Sequence, residues 1–224
     1  MKINKAIILA AGRGSRIWPL TNDVPKAMLE INQTTLIANG IQSMKKYIDS
    51  IFITVGYKGP ILAKHVIEHN VDVIFNTEGK DNAWWIYNTL LCHLNEPIFV
   101  LTCDNVTKIN FRDMIEDYFS KGSPSCMLIP VKPVDGLNGD YIFHSDNIVK
   151  KLSRYNKADI YCSGIQILNP YIINKTTKKH NNFYDVWGEL ISMDQLFVSD
   201  VMPKKWFTVD TLDHYKKLTS MNEK

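Results

Sequence analysis

Over roughly the first 130 residues, short β-rich apolar runs alternate with segments of helical periodicity, and few folds accommodate that rhythm. The runs are KAIILA (5–10), SIFITV (50–55), VDVIF (71–75), PIFVLT (97–102) and SCMLIP (125–130). Between them lie TLIANGIQSMKKY (35–47), PILAKHVIEH (60–69), NAWWIYNTLLCHL (82–94) and FRDMIEDYFSK (111–121). In the last of these, Phe111, Met114, Ile115 and Tyr118 share one helical face. Such alternation predicts a parallel sheet with helices on both faces. The runs lack a clean apolar–polar alternation, as expected of strands buried on both sides.

Beyond about residue 130 the pattern changes. GDYIFHSDNIVKKLSR reads as a short hairpin turning at Ser145-Asp146-Asn147, and DIYCSGIQIL (159–168) as a strand stopped by Asn169-Pro170. FYDVWGELISM (183–193) reads as a helix, KWFTV (205–209) as a late strand, and a final helix starts at Asp210-Thr211. The expectation is an α/β, Rossmann-like fold: a mostly parallel wound sheet plus a small β-rich elaboration. The 224 residues suffice for a single sizeable domain, 1–224.

Charge and cysteine content narrow the setting. A net charge of +3 is small and does not argue for nucleic acid or an anionic membrane, which usually call for a concentrated basic face. No stretch approaches the ~18 apolar residues of a membrane span, and the run Ala6–Ala11 is too short for a signal-peptide core. Cys92, Cys103, Cys126 and Cys162 lie far apart with no CxxC spacing, which reads as buried thiols in a reducing, cytoplasmic setting.

The first strand runs into ILAAGRGSRIWPLTNDVPKAM (8–28). Glycines let the main chain approach phosphate oxygens, and successive N–H groups form an anion nest. Arg16 offers a bidentate fork, Lys26 a point charge, and Pro25 fixes the backbone that aims it. Gly12-x-Gly14 alone is equally a tight strand–helix turn; the added arginine and Pro25-Lys26 favour a phosphate cradle.

The stretch LAAGRGSRIWPLTNDVPKAM resembles the signature of the sugar-phosphate nucleotidylyltransferases, which include sugar 1-phosphate uridylyl- and guanylyltransferases and phosphocholine cytidylyltransferases. The resemblance implies that Leu9, Ala10, Ala11, Gly12, Gly14 and Ser15 surround the NTP, that Arg16 holds its triphosphate, and that Lys26 acts on the reacting phosphates. Ile17-Trp18 before Pro19 departs from the commonest form of the signature. By the same resemblance, about 1–130 is the NTP-binding half and about 131–224 the acceptor-binding half.

PIFVLTCDN puts Asp104 just after a buried strand, where ligands bind in open α/β sheets. An aspartate there suits Mg²⁺, which takes one or two carboxylates plus substrate phosphates; a turn cap is the plainer reading. CDN resembles the GDN or ADN of the family, and KWFTVDTLDHY resembles its late W-x-D-V-G-T segment, although here the order is T-V-D-T. The resemblance implies Asp104 and Asp210 as Mg²⁺ ligands, with Asp104 also catalytic; Asp210 as a helix cap is the alternative. The implied reaction joins a phosphorylated acceptor to the α-phosphorus of an NTP, with CTP or UTP favoured, and releases pyrophosphate. It needs positioning and charge neutralisation, not a protein nucleophile.

For the acceptor, Asp140 in GDYIF and Ser163-Gly164 in YCSGIQIL resemble segments lining the sugar pocket in the family, and Asn105 of CDN is assigned with them. Asp140 as a solvated turn residue and Gly164 as a strand bulge remain open. Asp81-Asn82-Ala83-Trp84-Trp85 looks more like the stretch of the phosphocholine cytidylyltransferases. Asn82 reaches the nucleotide or caps a helix. Trp84, Trp85 and Tyr87 invite comparison with an aromatic cage for a quaternary ammonium, or pack in the core. The acceptor is therefore a sugar 1-phosphate, or alternatively phosphocholine or a similar small phosphorylated compound. The resemblance leaves a homodimer open.

Overall fold

The computed structural model describes residues 2–134, 136–137 and 139–221. By the clustering of its contacts the chain forms two units, neither of them continuous in sequence. One, called here the loop unit, holds Asn4–Gly79, Leu101–Lys108 and Lys205–Lys224; the other, the hairpin unit, holds Met1–Ile3, Lys80–Val100 and Ile109–Lys204.

In the loop unit, β1 (Lys5–Leu9) is followed by the short pair β2 (Glu30–Ile31) and β3 (Thr34–Thr35), then α1 (Leu36–Met44), β4 (Ser50–Val55), α2 (Gly59–Glu68) and β5 (Val73–Asn76). β4 lies parallel to both β1 and β5. Its Ile51, Phe52, Ile53, Thr54 and Val55 are all buried, which explains why the run lacks alternation. Thr35 caps α1, its hydroxyl accepting from Ala38 N at 3.2 Å.

The chain then enters the hairpin unit through α3 (Trp84–Asn88). Sequence periodicity predicts one helix over 82–94, but Thr89 is extended (φ −119°, ψ 173°) and a separate 3-10 turn covers Leu90–His93. Thr89 completes the break by donating to Trp85 O and accepting from Leu91 N. β6 (Ile98–Thr102) leads back into the loop unit, where β7 (Asn105–Lys108) lies. The hairpin unit resumes with α4 (Phe111–Ser120), β8 (Cys126–Val131), β9 (Tyr141–Ser145), β10 (Ile148–Ser153), β11 (Tyr161–Leu168), α5 (Pro170–Thr176), α6 (Phe183–Ser192) and β12 (Leu196–Val198). β13 (Lys205–Thr208) and α7 (Leu212–Met221) close the loop unit.

Within the hairpin unit the strand order is β6-β11-β8-β12-β10-β9. β11 runs antiparallel to β6 and β8, whereas β12 is parallel to β8. The fold is α/β and Rossmann-like, as its alternation predicts, with antiparallel β11 wedged among strands that the sequence pattern alone would make parallel. The predicted hairpin forms: Asp146 and Asn147 take positive φ (53° and 62°), the geometry of a tight two-residue connection. No helix among the described residues is long and apolar enough to cross a membrane.

Candidate active site

All the geometry of this site belongs to the loop unit. β1 ends at Leu9, and Ala10 N is held by Thr54 through both its carbonyl (3.2 Å) and its hydroxyl (3.1 Å). The chain then turns through Gly12 and Gly14 into a 3-10 turn at Ser15–Ile17. Ile17 is fully buried and anchors the turn, while Gly12, Ser15 and Arg16 face solvent. Among the described residues, the main-chain N–H groups of Gly12, Arg13 and Gly14 have no hydrogen-bond partner. Gly14 adopts a left-handed conformation (φ 68°, ψ 37°), and its carbonyl accepts from Thr21 Oγ1 at 3.0 Å.

That glycine lies directly over the stem of Lys26. A Cβ at position 14 would stand 2.7 Å from Lys26 Cβ and 3.2 Å from Thr21 Cγ2. A Cβ at Gly12 would meet nothing within 4 Å. Gly14→Ala is therefore expected to lower stability by about 1–2 kcal/mol, because left-handed backbone strain and displacement of the Lys26 stem add. Gly12→Ala is expected to leave the melting temperature close to the parent's; equal melting losses in the two variants would remove the steric argument.

Pro25, buried and extended (φ −65°, ψ 150°), starts the 3-10 turn Lys26–Met28. From there the ammonium of Lys26 reaches two carboxylates: Nζ donates to Asp104 Oδ2 at 2.5 Å and to Asp210 Oδ1 at 3.2 Å. The two aspartates, 106 positions apart in sequence, meet because of one ribbon. β7 and β13 pair antiparallel with Asn105 opposite Thr208, so the next step sets Asp104 beside Val209, whose N–H donates to the Asp104 carbonyl at 3.0 Å. Asp210 follows at once. Cys103 N donates to Leu9 O at 3.1 Å and ties this corner to the end of β1. Arg16 Nη2 donates to the same Asp210 Oδ1 at 3.0 Å, although its side chain remains 70% exposed. Asp210 does not cap α7 with its side chain; the Thr211 hydroxyl does, accepting from His214 N at 3.2 Å.

Burial on its own would favour neutral groups here, and opposite charge overrides it. Desolvation pulls the Lys26 pKa down, but the charge of Asp104 above all, with that of Asp210, raises it above the usual lysine value. Desolvation pushes the Asp104 carboxyl up, yet the Lys26 charge and hydrogen bond, with help from Thr102, hold it below the usual carboxylate range. Cys103 between them is pushed up to about 12 by burial and by Asp104, so it stays a thiol. The result is a Lys26–Asp104 pair held in its charged form at neutral pH.

The family model described as "Nucleotidyl transferase" matches residues 5–223. The chain belongs to the nucleotidyl transferase family. This nucleotidyl transferase is 24% identical to the mannose-1-phosphate guanyltransferase of Pichia angusta over 92% of its own length and 60% of that protein's. It is 25% identical to the choline-phosphate cytidylyltransferase of Streptococcus pneumoniae, with 96% of each chain covered. The chain spans about 60% of the length of the fungal guanyltransferases it matches. Among solved structures, an inositol-1-phosphate CTP transferase from T. maritima superposes with a TM-score of 0.80 at 17% identity, covering 98% of this chain and 96% of that one. A CTP:phosphocholine cytidylyltransferase from Streptococcus pneumoniae gives 0.78 at 24%, covering 99% and 100%. At these identities the structural matches establish the fold.

The remaining sequence-derived candidates are distributed as follows. Asn105, on β7, is buried in the loop unit. Asn82, Asp140, Ser163 and Gly164 lie in the hairpin unit. Asn82 Oδ1 accepts from Phe183 N at 2.9 Å, so its carbonyl oxygen serves the first turn of α6; the N-cap of α3 is Ala83, without a side-chain cap. Ser163 is 2% exposed and spends its hydroxyl on Ile129 O (2.6 Å) and Ile165 N (3.0 Å). Gly164 has φ 81° where the β11–β8 register shifts, which is the bulge reading. Asp140 binds Arg154 and Tyr184, two residues that the sequence patterns did not single out. Trp85 and Tyr87 are buried in the core, and Trp84 carries the Lys80 ammonium 5.6 Å above its ring, so these three do not form one cage.

Proposed function

We propose that this chain transfers a nucleoside monophosphate from an NTP, CTP or UTP for preference, to a sugar 1-phosphate, with release of pyrophosphate. The observation that carries the reading is the Lys26 ammonium gripping Asp104 and Asp210 beneath a turn whose glycine N–H groups are unpartnered. The acceptor's phosphate oxygen attacks the α-phosphorus in line; the bond from that phosphorus to the β-bridging oxygen breaks and its electrons leave with pyrophosphate. The N–H groups of Gly12, Arg13 and Gly14 receive phosphate oxygens, and Leu9, Ala10, Ala11 and Ser15 shape the nucleotide's bed. Arg16 clamps the triphosphate, and Lys26 offsets charge that grows on the phosphates during transfer. Asn82 is assigned to the nucleotide, and Asn105, Asp140 and the main chain at Ser163 and Gly164 to the acceptor, since the Ser163 hydroxyl is engaged by its own strands.

Asp104 and Asp210 fit a divalent cation. Their oxygens already converge on one positive charge, and hard carboxylate donors plus phosphate match Mg²⁺. Such an ion, when bound, supplies further neutralisation of the triphosphate. Lys26 would then pass its two carboxylate contacts over and turn its ammonium to a phosphate oxygen. The four free thiols support a reducing, cytoplasmic setting.

A second reading, a cytidylyltransferase acting on phosphocholine or a similar compound, has one observation in its favour: Asp140, Phe183, Tyr184 and Trp187 line one cavity. Pyrophosphate release is the test, with each of four NTPs against sugar 1-phosphates and phosphocholine, with and without EDTA. Release that needs a divalent ion and a sugar 1-phosphate is expected. Turnover with CTP and phosphocholine alone would replace the first reading by the second, and triphosphate binding without any turnover would overturn both.

A further inference from the structure

The cavity of the hairpin unit has a volume of about 690 Å³, and its wall is set by a slip in strand register. From the turn of the β9–β10 hairpin, Ile148 pairs with Ser145 and Val149 with His144. The register then shifts, and the pairs become Lys151–Phe143, Leu152–Ile142 and Ser153–Tyr141. One step further along, Arg154 comes opposite Asp140; without the slip Ser153 would stand there. Arg154 Nε donates to Asp140 Oδ1 at 2.9 Å, and Tyr184 Oη donates to the same oxygen at 3.3 Å. The Arg154 guanidinium lies 5.9 Å from the centre of the Tyr184 ring. Beside it Phe183 and Trp187 stack, with centroids 5.6 Å apart and planes at 23°.

A carboxylate facing aromatic rings is the arrangement that holds a quaternary ammonium group. Here the chain's own guanidinium has taken that place. It answers the charge of Asp140 through a charge-assisted bond and lies over the ring of Tyr184. An incoming trimethylammonium group must displace it or sit beside a like charge, and both cost affinity. An uncharged hydroxylated group meets neither cost. It can accept from the guanidinium, donate to the remaining lone pairs of Asp140, and lay its C–H faces against the flat pair Phe183–Trp187.

We propose that Arg154 is the resident cation of this cavity and a specificity-determining residue: it excludes cationic head groups and restricts the acceptor to an uncharged sugar or related polyol carrying the phosphate. The inference rests on reading this cavity as the acceptor's.

The test is calorimetric titration of the full chain with choline chloride, in the absence of nucleotide. The parent protein is expected to show no saturable binding. Arg154→Gln is expected to gain choline affinity by about tenfold or more, since an unoccupied carboxylate and ring then face the cavity. Arg154→Lys, which keeps the charge, is expected to behave as the parent. Adding Asp140→Asn to Arg154→Gln should abolish the gain. Arg154→Met, which preserves the packing of the stem, stands in should Arg154→Gln melt early. Saturable choline binding by the parent as tight as by the variant, or a folded neutral variant without the gain, would overturn the proposal. Because no NTP is present, these outcomes are separate from those of the pyrophosphate assay, which tests the acceptor reading itself.

Discussion

Lys26→Met is expected to lower pyrophosphate release by about three orders of magnitude, roughly 4 kcal/mol of barrier. Among the described residues the lysine is the one cation that touches both aspartates, and only 11% of its side chain is exposed, so water cannot take over its role. Methionine retains most of the stem and leaves the packing under Gly14 intact, which makes the loss one of charge. A second consequence separates this account from simple damage. Without the ammonium, Asp104 loses its counter-charge and faces Asp210, which keeps only the exposed Arg16, and the protein should melt earlier by an amount typical of a broken buried ion pair, about 3 kcal/mol. Added Mg²⁺ should recover part of that loss, and raise the melting temperature more in the variant than in the parent, because ion and ammonium compete for the same oxygens. Parent-like turnover in the variant would remove Lys26 from the reaction; an equal magnesium shift in both proteins would remove the competition.

The second large effect is expected at Asp104. Asp104→Asn keeps the shape of the side chain and removes its charge, and turnover should fall about 10²- to 10³-fold. The half-saturating magnesium concentration should rise at the same time, since one of two anionic donors is gone. Asp210→Asn should shift it in the same direction, with an additional loss of NTP affinity because Arg16 loses its partner at 3.0 Å. Unchanged magnesium dependence in both variants would mean that the ion sits elsewhere and that these carboxylates serve Lys26 and Arg16 alone.

The loop could be read from sequence because its chemistry is local. Two glycines, an arginine and Pro25-Lys26 fall within 15 residues, and each has a physical reason to be there. The strands and most helices were legible for a similar reason: apolar runs such as SIFITV mark burial whatever they pack against. Strand direction is different. Nothing in YCSGIQIL says that it will run antiparallel between β6 and β8, because direction is set by the path of the chain. The meeting of Asp104 with Asp210 also depends on pairing, that of β7 with β13. Arg154 was hidden for a subtler reason. A hairpin extended without a slip from Asp146-Asn147 puts Ser153 opposite Asp140, and the single-residue slip between Val149 and Lys151 leaves no clear mark in the sequence. The hydroxyl of Ser163 illustrates the converse, a residue that fits a motif yet has its side chain turned to its own main chain.

The clasp at Asn82 has an evolutionary consequence. Its side-chain oxygen takes Phe183 N, while the neighbouring Ala83 N donates to Asn181 O at 2.9 Å, so two stretches a hundred residues apart are stitched by bonds in both directions. Phe183 and Tyr184, which wall the cavity, inherit their placement from the distant stretch as much as from their own helix. Relatives that acquire a new acceptor should therefore change around 82–83 and 181–184 in concert. A lineage that alters only one side would inherit a misfitted pocket before it gained a new substrate.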